Sequence, residues 1–76
     1  MVRIFVGAGR RGGIRPGDLV GAITGEAGIE SRSIGAIEIN DAFSLVEVDA
    51  EHAEAVIAAL RRTKLRGQKV TVRPER

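Results

Sequence analysis

The 76-residue chain contains no cysteine, tryptophan or tyrosine, and only one histidine, two prolines and two phenylalanines. Without cysteine there can be no disulfide and no thiolate metal site. A lone His52 cannot assemble a metal centre. No apolar run approaches the roughly 20 residues that cross a bilayer. Charge from Arg3 onward breaks any signal-peptide pattern. The expectation is a soluble, cytoplasmic domain with no membrane partner. The length leaves room for one domain, residues 1–76, and none for a nucleotide-binding domain joined to a substrate domain. A chain this short buries a limited core.

Glycine and arginine are not scarce. Between Gly7 and Pro16 the stretch "GAGRRGGIRP" holds four glycines and three arginines. It follows an apolar run and ends at a helix start, as though built to meet an anion. The net charge is only +2, but it is unevenly placed. Acids gather at 47–54 (Glu47, Asp49, Glu51, Glu54), and bases gather at 10–15 and 61–73. Two basic clusters on a nearly balanced chain point to a local anion-binding surface; ordinary solubilising charge is the plainer alternative.

The apolar spacing sets out six elements. "VRIFV" (2–6) is β-branched and stops at Gly7, as a strand does. "RPGDLVGAITGEAG" (15–28) has helical spacing at Leu19, Ala22, Ile23 and Ala27. Pro16 suits its first turn, Asp18 the positive end of its dipole, and Gly28 a left-handed cap. Gly21 and Gly25 weaken this helix and could let it pack close on a sheet. "IGAIEIN" (34–40) and "FSLVEVD" (43–49) alternate and form a hairpin with a tight connection near Asn40–Asp41. "DAEHAEAVIAALRR" (49–62) follows, with Asp49 as N-cap and Ala53, Val56, Ile57 and Leu60 as its apolar stripe. "QKVTVRP" (68–74) alternates again, and the tail "RPER" reads as a chain end. The order β-α-β-β-α-β is the split βαβ, or ferredoxin-like, α+β unit. It predicts a four-stranded antiparallel sheet with two helices on one face and the other face open.

Side-chain alternation then assigns the faces. Ile4, Val6, Ile37, Ile39, Val46, Val48, Val70 and Val72 point into the core. Arg3, Phe5, Glu38, Asn40, Phe43, Leu45, Glu47, Lys69, Thr71 and Arg73 point out. Both phenylalanines fall on the open face of strands one and three, central neighbours in this topology. Exposed aromatics there make a platform on which bases stack; a one-residue slip would make them core instead.

The glycine-arginine loop admits three readings. "GAGRRG" (7–12) fits the letters of a dinucleotide fingerprint. A Rossmann helix opens inside that pattern, however, and here it opens at Pro16. An acylphosphatase-like site would cast Arg15 and Asn40 as its arginine and asparagine. Phosphate binding to nucleic acid uses the arginines as forks and the glycines for close approach, and it agrees best with an aromatic platform.

Nearly the whole chain, through "FVGAGRRGGIRPGDLVGAITGEAGI", "IGAIEI" and "FSLVEV", resembles the C-terminal RNA-binding domain of bacterial DEAD-box RNA helicases of the DbpA type. That domain is a compact variant of the RNA recognition motif, RRM. The resemblance implies a non-catalytic RNA-binding module whose helicase core lies elsewhere in the same polypeptide. ATP and Mg would belong to that core, and no cofactor is expected here. The chain has no G-x-x-x-x-G-K-[ST] and no D-E-A-D sequence. The implied partner is structured RNA, ribosomal RNA in particular. "IFVGAG" matches the strand-one signature with Phe5 at its aromatic position. "DAFSLVEV" matches the strand-three signature at Phe43. Asp41 replaces its leading basic residue, Leu45 its second aromatic and Val48 its last. Those departures weaken the usual open-sheet grip and favour the edge and the loops. The candidate RNA-binding residues are Arg3, Phe5, Arg10, Arg11, Arg15, Phe43, Lys64, Arg66, Lys69 and Arg73. Two other classes share the fold or the surface. One is an ACT-like small-molecule regulatory domain; the other is a protein–protein module using exposed Phe5, Phe43 and Leu45.

Overall fold

A computed structural model describes residues 1–75. Its strands are β1 (Val2–Val6), β2 (Ile34–Ile39), β3 (Ser44–Val48) and β4 (Val72–Pro74), and its helices are α1 (Pro16–Ala22) and α2 (Ala53–Arg62). The sheet order is β2-β3-β1-β4, with every pairing antiparallel. This is the βαββαβ arrangement expected, with β1 and β3 at its centre.

Alternation decides what the sheet buries. Ile4, Val6, Val46 and Val48 are fully buried and join Leu19, Ile23, Val56, Leu60 and Val72 in one core. Each such side chain contributes about 1.5–3 kcal/mol on leaving water. Ile34, Ile37 and Ile39 pack against the same core although Ile34 is out of phase with the others. The reason is a bulge. Ile34 pairs with Val48 and Ile37 with Val46, so β2 carries one extra residue between them. The Ala36 N–H there donates to the Glu47 carboxylate at 3.1 Å instead of to the ladder.

The hairpin turn is as tight as expected. Asn40 N–H donates to the Phe43 carbonyl at 2.9 Å, leaving Asp41 and Ala42 as its tip.

Four expectations need correction. The first helix does not stay α: Ile23–Ala27 form one π turn, closed by Gly28 with φ of 70°. Gly21 and Gly25 do not mediate packing, since a Cβ at either would meet nothing within 4 Å. Asp49 precedes a 3-10 turn (Ala50–His52), and its side chain makes no cap; its backbone carbonyl accepts the His52 N–H at 2.9 Å. The last strand is short. Leu65 and Gln68 instead form a separate two-residue hairpin around Arg66 and Gly67, so Lys69 precedes β4 and is not a strand residue. Val70 still packs on the core. In the tail, Arg76 lies outside the described residues.

Candidate nucleic-acid interface

Antiparallel pairing places three connections at one end of the sheet. Val6, the last residue of β1, pairs with Ser44 at the start of β3 and Val72 at the start of β4. The β1–α1 loop, the β2–β3 turn and the segment before β4 therefore meet there. α1 begins at this end, and α2 finishes there with the Arg61 Nε–H donating to the Val72 carbonyl at 2.9 Å.

The glycine-arginine loop is braced from the hairpin side. Arg10 N–H donates to the Asn40 carbonyl at 2.8 Å and Arg11 N–H to the Asp41 carbonyl at 3.0 Å. The Arg10 guanidinium adds Asp41 at 3.1 Å and the Ile39 carbonyl at 3.2 Å. Beneath them, the buried Ser44 hydroxyl donates to the Ala8 carbonyl at 2.7 Å. This closeness demands glycine at position 9. A Cβ there would overlap the Asn40 carbonyl oxygen and come within 2.8 Å of the Phe43 amide nitrogen. Arg10–Gly12 consequently wind into a 3-10 turn rather than a free loop.

The other side of the loop faces the small 65–68 hairpin. The Arg66 guanidinium lies 3.6–3.8 Å from where a Cβ on Gly13 would stand, and the Gln68 amide is comparably close to Gly12. Arg15 is the N-cap of α1; its backbone N–H donates to the Asp18 carboxylate at 2.9 Å, half of a capping box. The Arg15 side chain, at the positive end of the helix, has no ion partner among the described residues. The same holds for Arg11, Lys64 and Lys69, all exposed.

The open face carries the rest of the expected residues. One row across the sheet reads Glu38, Leu45, Phe5, Arg73, and the next pairs Glu47 with Arg3. Phe5 and Phe43 are half-buried and stack on each other, with centroids 5.6 Å apart and planes 16° apart. The Arg73 guanidinium carbon lies 4.3 Å over the Phe5 ring. The aromatic pair is thus already in contact with its own neighbours. Leu45 sits on this face but is buried, at 8% exposure, contrary to its reading as an exposed contact. Arg3 reaches Glu75 at 3.7 Å. Among the described residues, Glu38, Glu47 and Glu75 outnumber Arg3 and Arg73 on this face.

Asn40 spends its side-chain amide on Glu38 at 2.9 Å and makes no hydrogen bond with Arg15 among the described residues. That leaves the acylphosphatase-like pairing unassembled. No group of three or more His, Asp or Glu among the described residues is placed to hold a metal. No helix among them is long and apolar enough to cross a membrane.

Sequence reasoning missed Asn40 and Asp41 as braces, Ser44 as an anchor, and Asp18 and Gln68 as neighbours of Arg66. Backbone carbonyl partners leave no mark in residue identity. Gly67 within "LRGQ" was the available signal for the 65–68 turn.

The DbpA RNA binding domain family matches residues 3–74 of the chain. An ATP-dependent RNA helicase DeaD from Mycobacterium tuberculosis is 39% identical over 71 residues, 93% of this chain and 13% of the relative. The ATP-dependent RNA helicase DbpA of Escherichia coli is 32% identical over 73 residues, 96% of this chain and 16% of the relative. An uncharacterized protein from Treponema pallidum is 36% identical over 69 residues and is covered to 30%. The chain therefore spans less than a third of each of these curated relatives. With its fold, braced arginine loop and a match over nearly its full length, the chain belongs to the DbpA RNA binding domain family and is an RNA-binding module.

Proposed function

We propose that this module directs an ATP-dependent DEAD-box helicase core, carried on the same polypeptide, to structured RNA, ribosomal RNA in particular, in the cytoplasm. ATP and Mg are used by that core, and the module itself binds RNA without either. The observation that supports this most is the cationic end of the sheet. Arg10, Arg11, Arg15, Lys64, Arg66 and Lys69 gather around the braced loop and the 65–68 turn, and outnumber the acids Asp18, Glu38 and Asp41 beside them among the described residues. Phosphates give RNA binding its largest electrostatic component, and guanidinium forks match them in geometry. The open face is secondary. Its rings are occupied by each other and by Arg73, and its carboxylates repel a polyanion. Phe43, whose carbonyl accepts the Asn40 N–H that closes the turn, and Phe5 stacked on it offer their free edges to a base.

The test is titration of the domain with structured ribosomal RNA fragments and unrelated structured RNAs of equal length, over a range of salt. With about four phosphates engaged on single-stranded segments of the RNA, log K against log[salt] falls with a slope near −3. Affinity independent of salt, or none for any RNA, overturns the reading. Equal affinity for all structured RNAs removes the ribosomal preference alone. A small-molecule regulatory reading would draw on the open depression among Val20, Thr24, Ile29, Glu30, Ser31 and Arg32, at the opposite end from the arginine loop.

A further inference from the structure

Among the described residues, Arg66 is the sole non-glycine with positive φ, at 52°. Gly67 follows at 81°. Leu65 and Gln68 exchange both backbone hydrogen bonds, at 2.8 and 2.9 Å. Arg66 and Gly67 are thus the two central residues of a hairpin turn with positive φ at both, the type I′ pattern. Glycine adopts the second position without strain. The first calls for Asn, Asp or Gly, and a long L side chain is disfavoured there. The arginine returns nothing to the turn that would explain it. Its side chain is half-exposed, makes no hydrogen bond among the described residues, and has Asp18 as its nearest charge at 4.0 Å. What the unusual backbone does achieve is placement. It carries the guanidinium across to the glycine-arginine loop, beside Gly13, with Gln68 beside Gly12.

We infer that Arg66 is a phosphate clamp, held in a disfavoured turn conformation so that its guanidinium grips a phosphodiester of RNA passing between the β1–α1 loop and the 65–68 hairpin. This rests on the RNA-binding reading and names the residue and the RNA group it takes. A planar fork is suited to two parallel hydrogen bonds to phosphate oxygens. Asp18, beyond hydrogen-bonding reach, orients the cation without consuming its donors. Gly12 and Gly13 leave the space beside it free of side chains. Strain retained at such a position is a common mark of function.

The turn-compatible variant Arg66→Asn separates clamp from scaffold. Expected are a melting temperature raised by about 3 °C, RNA affinity about tenfold weaker, and a salt slope smaller in magnitude by about 0.7. Arg32→Asn removes the same charge at the opposite end of the molecule and leaves affinity within about twofold. A folded Arg66→Asn domain with the parent's affinity and slope overturns the clamp. A lower melting temperature also overturns it, because Arg66 would then stabilise its turn. An equal loss in Arg32→Asn does the same, since any cation would then serve. If the unmodified domain binds no RNA, the broader reading falls along with the clamp. If it binds and only the Arg66 variant is unchanged, the clamp alone falls.

Discussion

The two ends of the sheet differ in charge and in construction. At the end where β1 finishes, Arg10, Arg11, Arg15, Arg61, Arg62, Lys64, Arg66 and Lys69 outnumber Asp18, Glu38 and Asp41 among the described residues, and the connections are tied to one another through backbone carbonyls. At the end where β1 begins, Glu30, Glu47, Asp49, Glu51 and Glu75 gather with Arg3 and Arg32, and both arginines are paired with acids. The first end therefore attracts a polyanion and the second repels one. On the proposed reading, RNA steered by this field approaches the loops first. In the aromatic patch between the ends, Phe5 and Phe43 stack on each other and Arg73 lies over the Phe5 ring. On the same proposed reading, an RRM-like sheet keeps its fold while the principal contact surface shifts from the face to one end.

The largest test of this comparison is Gly9→Ala. The added methyl would overlap the Asn40 carbonyl, which is backbone and cannot rotate away. The brace from Arg10 N–H must break or the hairpin must move. The expected cost is about 3 kcal/mol by chemical denaturation, with RNA affinity lost in whatever still folds. A variant as stable as the parent means that loop and hairpin are not locked together.

Next in size is Phe5→Ala, which removes a half-buried ring from Phe43 and Arg73. Expected is a loss of about 2 kcal/mol in stability, less than for a fully buried ring. RNA affinity of the folded variant should change by less than about threefold. A fall of tenfold or more, the scale of base stacking, would return the main RNA site to the sheet face.

The fold was legible because its signals are local and repeated. Alternation placed Ile4, Val6, Val46 and Val48 inside, and the topology that followed put Phe5 and Phe43 together on the other face. The bulge at Gly35–Ala36 was harder, since it rests on Glu47 filling an empty ladder position. In the site, the positions of the arginines were readable but not their separate duties. Arg10 spends its guanidinium on Asp41 and Ile39, whereas Arg11 beside it makes no side-chain hydrogen bond among the described residues. Nothing in "RR" distinguishes them. The 65–68 hairpin was hidden because its tip lacks the usual Asn-Gly or Asp-Gly pair.

That division sharpens the third expectation. Arg11→Ala with Arg15→Ala should weaken RNA binding about tenfold, as loss of two phosphate contacts does at moderate salt. Stability should stay within about 0.5 kcal/mol of the parent. Arg10→Ala should weaken binding less. It also breaks an exposed ion pair worth under about 1 kcal/mol. If Arg10→Ala matches the double variant in RNA titration, its pairing with Asp41 is no obstacle to RNA and the two arginines share one duty.

The smallest expected effect is a gain, at Gly21 on the side of the molecule that neither loops nor sheet face occupy. Gly21 lies within α1, is exposed, and has ordinary helical φ. A Cβ there would meet nothing within 4 Å. Alanine removes backbone freedom from the unfolded chain and leaves folded contacts unchanged. Gly21→Ala should therefore stabilise the domain by about 0.5–1 kcal/mol, seen as a melting temperature higher by about 3–6 °C. Gly25 is a poorer choice because it sits in the π turn, where the helical ladder is interrupted. RNA affinity should be unchanged, since the substitution alters no charge and touches neither loop. Destabilisation would mean that α1 needs glycine for packing after all. Weaker RNA binding in a stabilised variant would extend the contact surface from the loop end along α1, and the contrast between the two ends would then be one of degree.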